Sequence, residues 1–440
     1  MSLSLLRERF FARTGITRRV PEAPMRSVAV GLALAASTLL ASCGGGGGSS
    51  TPATPAATTN PGVSLATPPS GPNVVPVSIR QLNTSGTSTA NTPYVTVTVC
   101  DARNACQSIP NVLVDTGSAG LRIFASQLGS VNLPGIATAS GGQLAACAQF
   151  ASGYTWGSMR EATVQIGGVS TAGAIPIEVI NDPAIPTTAP LACQNQGPDF
   201  SGQLAGVVNG ILGISNFTYD CGQACTVPLS KYAAAGLSTP GVYFSCIGTS
   251  CTETSANLDQ QGINPVAAEP APYNNGSILL LPAVPLPWGA QTATGVLVLG
   301  INTASNNQLP SGAQVFPLDS IGNLSVAVNG SPGTGFIDSG SNGYYLALNL
   351  PPCTQSTGFY CPLPPANEAL ELSSSAIVAN AGITIASADA MFQTANAALP
   401  ALGGTAAVSG QIDLGLPFFF GRPIATGIQG TQFPNGFVAF

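Results

Sequence analysis

The chain has 440 residues, a formal net charge of -6 and only 7% charged residues, against roughly 25% in a typical soluble protein. With 52 glycines and 37 prolines, so few charges exclude long salt-bridged helices and coiled coils, while 45% hydrophobic residues argue against wholesale disorder. Histidine is absent, which excludes Ser-His-Asp triads, Cys-His pairs and imidazole-ligated zinc and leaves hydrolytic chemistry to carboxylates, hydroxyls or the single lysine, Lys231.

At the N-terminus, Arg7, Arg9, Arg13, Arg18, Arg19 and Arg26 precede an apolar stretch, Val28 to Ala41, that is short for a membrane span. It ends in Leu40-Ala41-Ser42-Cys43, which resembles the lipobox of bacterial lipoproteins. That resemblance implies a signal peptide over 1–42, lipidation of Cys43, and a body anchored to a membrane, facing the periplasm or cell exterior; Gly44 after the cysteine favours the outer membrane. Residues 43–73 read as the lipidated cysteine and a Gly/Ser/Thr/Pro tether with no core-forming pattern. Without the leader, 6 basic and 16 acidic residues remain. An acidic body without a basic stripe is not expected to bind nucleic acid.

From about Val74 the pattern changes to short strands separated by turn residues, an all-β signature. Tyr94 to Val99 alternates with period two, and Asn111 to Val114 runs apolar into Asp115. Further strands are expected at Ala162–Ile166, Gly241–Cys246, Gly276–Leu281, Gly295–Leu299 and Leu324–Val328, and helices at Pro228–Ala235 and Pro365–Leu372. Of eleven cysteines, ten remain after the anchor, an even number that suits disulfides in an oxidising compartment. Cys100 and Cys106, Cys221 and Cys225, Cys246 and Cys251, and Cys353 and Cys361 are near neighbours, with Cys147 and Cys193 left over. Pairing by proximity is a working assignment and connectivity stays open. No second thiolate pair at zinc-finger spacing accompanies them, so no metal and no other cofactor is expected.

The chemistry lies in a repeat. Val112-Leu113-Val114-Asp115-Thr116-Gly117-Ser118 is echoed by Gly335-Phe336-Ile337-Asp338-Ser339-Gly340-Ser341. Of ten aspartates, only these two are followed by Ser/Thr and then Gly. Each ends an apolar strand, and two such carboxylates brought together share a proton, so that one activates water while its protonated partner polarises a carbonyl.

These motifs resemble the pepsin-like aspartic peptidases over nearly all of residues 74–440. Asn209 to Ile214 and Asp413 to Phe420 look like that family's apolar-Gly segments, Pro228 to Tyr232 and Gly241 to Ser245 like the helix and strand that follow the first of them, Gly295 to Gly300 like the strand before the second aspartate, and Gly436 to Phe440 like the closing strand. The resemblance implies a bilobal acid-protease fold, with an N-terminal β lobe at 74–262, a C-terminal β lobe at 263–440, and Asp115 and Asp338 catalytic at the floor of the cleft. It also implies a flap, for which Tyr154 is the candidate tyrosine. The family commonly places a tryptophan seven residues beyond the first aspartate. Here that position is Arg122, which either stacks on Tyr154, turns inward to lower the pKa of Asp115, or is a solvated strand-end residue. No basic pro-segment lies between Cys43 and Arg80. The expected activity is peptide hydrolysis by a lipid-anchored, monomeric aspartic endopeptidase. The alternative is a non-catalytic lipoprotein of the same fold holding a peptide or glycan. Lipobox, tether and cysteine-rich body also resemble a proteobacterial lipoprotein family catalogued as a domain of unknown function.

Overall fold

The computed structural model describes residues 69–82, 89–375, 377–406 and 410–440. The expected leader, Cys43 and the tether up to residue 68 lie outside the described residues. Eleven strands come first in chain order: β1 Val74–Arg80, β2 Pro93–Cys100, β3 Cys106–Asp115, β4 Ala119–Phe124, β5 Gln143–Phe150, β6 Gly153–Ile166, β7 Val169–Ser170, β8 Ile175–Ile180, β9 Gly210–Ile214, β10 Tyr243–Ile247 and β11 Ser250–Glu253. Twelve more follow: β12 Gly276–Leu280, β13 Thr292–Leu299, β14 Val315–Pro317, β15 Leu324–Val328, β16 Ser331–Ile337, β17 Tyr344–Tyr345, β18 Ala366–Ser374, β19 Ile377–Ile385, β20 Gly403–Gly404, β21 Gln411–Leu414, β22 Ile424–Gly427 and β23 Phe437–Ala439. The α-helices among the described residues are short, the six-residue Leu229–Ala234 being the longest. The all-β expectation holds.

The strands form a sixteen-stranded and a seven-stranded sheet. In the first, β9 is threaded between β3, to which it is parallel, and β4, to which it is antiparallel, and β4 in turn runs parallel to β8. The second sheet repeats these senses: β21 lies parallel to β16 and antiparallel to β17, and β17 runs parallel to β20. Registers repeat as well. Arg122 faces Ile211 and Glu178 in one unit, as Tyr345 faces Asp413 and Gly404 in the other. Each threaded strand pairs in register with the end of the strand that carries an Asp-Thr/Ser-Gly-Ser turn.

Local chemistry explains how that strand is delivered in the second unit. Asn329 and Gly330 both take positive φ, 51° and 80°, as a two-residue hairpin turn of the primed type demands, and Val328 then pairs with Ser331. The hairpin fixes the register of β16 and so the position of Asp338 at its end.

One expected helix is a strand. Pro365–Leu372 falls mostly in β18, which pairs along its whole length with β19. Leu370 and Leu372 are buried while Asn367 and Glu371 are exposed, the period of two that marks a half-buried strand. The sheet also crosses the expected lobe boundary, since β1 pairs with β13 from Val74↔Val298 to Arg80↔Thr292. One core cluster joins Val77 and Leu212 with Leu297, Phe316 and Phe418.

Candidate active site

Thr116 and Ser339 hold the two turns together. Thr116 N donates to Ser339 Oγ at 3.1 Å, and Ser339 N donates to Thr116 Oγ1 at 2.9 Å. The hydroxyls pass their own protons across: Thr116 Oγ1 donates to the Ile337 carbonyl at 3.2 Å and Ser339 Oγ to the Val114 carbonyl at 2.7 Å. Four bonds from two small residues thus tie the end of β3 to the end of β16, and both residues are buried. Bonds of this kind between buried groups are costly to leave unmade, which makes the lock rigid.

Each carboxylate is held in the same way inside its own turn. Asp115 accepts from Gly117 N at 2.8 Å and from Ser118 Oγ at 2.5 Å. Asp338 accepts from Gly340 N at 2.7 Å and from Ser341 Oγ at 2.9 Å. The glycines are there for close approach. A Cβ on Gly117 would stand 2.7 Å from Asp338 Cγ, and one on Gly340 2.7 Å from Asp115 Oδ1 and 3.1 Å from Asp338 Oδ1, so those two oxygens lie within about 6 Å of each other. Burial, then the charges of Asp115 and Asp413, raise the Asp338 carboxyl well above the usual range. The structure therefore brings together Asp115, Thr116, Gly117, Ser118, Asp338, Ser339, Gly340 and Ser341.

Tyr154 is placed elsewhere. It opens the long strand of the β5–β6 hairpin, but its ring is only 5% exposed and packs with Trp156, Phe244 and the Cys147–Cys193 disulfide. Its backbone is bonded to Pro198 and Phe200, so the ring serves as a packed strand tyrosine and not as a free flap residue. The aromatic residue nearer the hairpin turn is Phe150, which meets Phe200 edge-on and packs near Leu113 and Ile211.

Arg122 fits none of the three sequence readings. It is 5% exposed, its guanidinium lies over the Phe150 ring at 5.2 Å, and it faces Glu178 at 3.2 Å and Asp220 at 4.0 Å. The parallel register of β4 and β8 sets Glu178 directly beside it, and this buried carboxylate captures the cation. Burial, against the pull of Arg122, brings Glu178 to about 7. Thr155 donates to Glu178, and Tyr243 donates to Asp220 at 2.7 Å.

All ten remaining cysteines are paired: Cys100–Cys106, Cys147–Cys193, Cys221–Cys225, Cys246–Cys251 and Cys353–Cys361. Proximity pairing holds, with the leftover cysteines joined to each other. Cys353, Cys361 and Asp389 lie together, but with the sulfurs bonded to each other no thiolate is offered to a metal.

Sequence reasoning passed over Asp413. It sits within the apolar-Gly segment Ile412-Asp413-Leu414-Gly415, in register with Phe336 and Tyr345, and its Oδ1 is buried with no hydrogen-bond partner. Its signal was available as the one charge in the segment Ile412-Asp413-Leu414-Gly415, whose other residues are uncharged and apolar.

Residues 69–440 match the family described as Protein of unknown function (DUF3443). The chain belongs to that family. A search of curated proteins finds no match. Family membership thus brings no activity to the DUF3443 chain, and the functional reading rests on the two aspartate turns.

Proposed function

We propose that this DUF3443 protein is an aspartic endopeptidase of the pepsin-like, bilobal kind, its body tethered through a lipid on Cys43 and facing the periplasm or cell exterior. The observation that carries the reading is the reciprocal Thr116–Ser339 lock, which sets two equivalent carboxylates against each other's glycines. The repeated threading of β9 and β21 beside the strands that end in the two turns supports it. So does the raised Asp338 carboxyl, because a pair that keeps one proton supplies both an acid and a base. In the reaction, Asp115 takes a proton from water as the water oxygen bonds to the peptide carbonyl carbon, and Asp338 gives its proton to the carbonyl oxygen. The C–N bond then breaks as Asp115 passes the proton it took from water to the leaving nitrogen and Asp338 recovers a proton from a hydroxyl of the gem-diol, so that a carboxylic acid and an amine result and the pair is left as it began.

A second reading, a cleft that binds a peptide or glycan without cutting it, is favoured by one observation: Tyr154 is packed away from the aspartates.

Purified, disulfide-intact protein assayed on a diverse peptide library from about pH 3 to 7.5 tests the peptidase reading. Cleavage is expected to rise on acidification, where the singly protonated pair is most populated. It should vanish in Asp115→Asn and in Asp338→Asn with melting temperature retained. No cleavage by the wild type at any pH would overturn the activity. For the anchor, Cys43→Ser should release the protein to the soluble fraction or leave it unprocessed; unchanged membrane fractionation would refute it.

A further inference from the structure

The two threaded units have the same registers but opposite charge problems. Beside Asp115, side chains of β3 and β9 on its face are apolar: Leu113 stands two residues before it and faces Ile211. Both are buried in a cluster with Tyr94 and Phe124, against which Phe150 packs. The charged residue of this unit, Arg122, has its counter-ion at the next register position, Glu178. Beside Asp338, the corresponding positions are Phe336, Asp413, Tyr345 and Gly404. Here the charge is a carboxylate, and the place where its unit would offer a partner is a glycine. A Cβ there would stand 3.0 Å from the Tyr345 ring.

Among the described residues no cation is paired with Asp413. The charged groups that act on it and on its neighbour Asp338 are carboxylates, Asp115 and each other, and the titratable group across the strand pair is the Tyr345 hydroxyl. Arg422, at the end of the segment after β21, is committed to the Phe418 carbonyl at 3.0 Å, the Gly382 carbonyl at 3.2 Å and the Phe418 ring. Asp413 as a residue is half-buried, and its Oδ1 is buried and has no donor. A carboxylate oxygen without a donor, at a position flanked in register by Phe336 and Tyr345, is suited to a group that brings positive charge and N–H donors together.

We infer that a lysine or arginine side chain of the bound peptide supplies that missing cation, with Asp413 as the specificity-determining residue on the Asp338 side of the scissile bond, and an apolar side chain occupying the Leu113–Ile211 side. The substrate class is then a peptide with a basic residue and a large apolar residue flanking the cleaved bond. This rests on the peptidase reading for the cut, though not for the recognition. Burial and the charge of Asp115 raise Asp413 to about 8, with the nearby Ser341 hydroxyl acting in the opposite sense, so a cation arriving below that pH displaces its proton. Binding of basic peptides should therefore tighten as pH rises toward 8 and weaken on acidification, whereas binding of neutral peptides should lack this dependence.

Two measurements on the disulfide-intact protein separate the recognition from the chemistry. In the cleavage library, wild type should select Lys or Arg at one position beside the cut over neutral residues by about tenfold or more. Asp413→Asn should erase that ratio, and Asp413→Ile, which copies Ile211, should turn it toward apolar residues. In affinity selection on Asp115→Asn protein, which cannot cut, basic peptides should be enriched and the enrichment lost when Asp413→Asn is added. Cleavage without a basic preference, or a preference that both Asp413 variants retain while folded, overturns the inference and leaves the peptidase intact. Absence of cleavage with Asp413-dependent enrichment overturns the peptidase and upholds the inference. Absence of both overturns both.

Discussion

Arg122 shows what a single buried charge demands. It donates to the carbonyls of Ala119 and Gly120 at 3.0 and 3.2 Å, lies over Phe150 and is paired with Glu178. Removing one member of a buried ion pair leaves the other uncompensated, which costs about 3–5 kcal/mol. Arg122→Ala should lower stability by that order in denaturant melts. Without the cation, the carboxyl of Glu178 moves further above about 7, so the loss should be greater at pH 8 than at pH 5. Equal losses at both pH values would show that Glu178 is not the group left unpaired. An arginine whose side chain is largely exposed, such as Arg103 beside Asp101, should tolerate the same change with little effect.

Among the elements, the β5–β6 hairpin depends on a tie that its own strands do not provide. Its pairing runs from Ala145↔Ser158 to Phe150↔Gly153, and Cys147 on β5 is bonded to Cys193 in the segment after β8, 46 residues on. In the chain-entropy account a loop of this length is worth about 4 kcal/mol, against about 2 for the four-residue separation of Cys221 and Cys225. The Cys147→Ala/Cys193→Ala double variant should therefore lose about twice the stability of Cys221→Ala/Cys225→Ala in non-reducing melts. It should also unpack Tyr154 and Trp156, visible as altered near-UV dichroism. The order reversed would mean that the hairpin stands without the bond. Helix and strand were hard to separate at β18 because glutamates and leucines at Glu368, Leu370, Glu371 and Leu372 suit a helix by propensity. Pairing with β15 and β19 overrides that preference.

Over the whole molecule, buried carboxyls set an unusual pH response. Glu178 at about 7, Asp413 at about 8 and Glu269 at about 8 are raised by burial, and Asp338 by burial and its neighbours. Between the unfolded carboxylate pKa of about 4 and these values, the native state binds more protons than the unfolded chain, so stability falls as pH rises. The slope is at most about 1.4 kcal/mol per pH unit for each such group. Asp101, held at about 2 mainly by Arg103, and Asp182, where bonds from Arg160 and Ser158 outweigh the effect of burial, act with the opposite sign and only below about pH 4. The melting temperature should therefore peak near pH 4–5 and fall by several degrees by pH 8, with the fall reduced in Asp413→Asn. A melting temperature flat from pH 5 to 8 would count against the buried protons.

What the sequence by itself determined was local: strands with period two separated by turn residues, cysteines close enough to pair, and two Asp-Thr/Ser-Gly-Ser turns whose residue types are meaningful wherever they occur. Val112 to Ser118 and Gly335 to Ser341 were legible as a repeated site because each is contiguous. Only the tertiary structure decided what faces what across registers. Tyr154 went to a disulfide-bound cluster, Arg122 acquired Glu178 and Asp220, and Asp413 was left facing two other carboxylates. Those outcomes depend on which strand lies beside β4, β9, β17 and β21, and strand neighbours far apart in sequence are chosen by packing of the whole chain, not by any segment's own pattern.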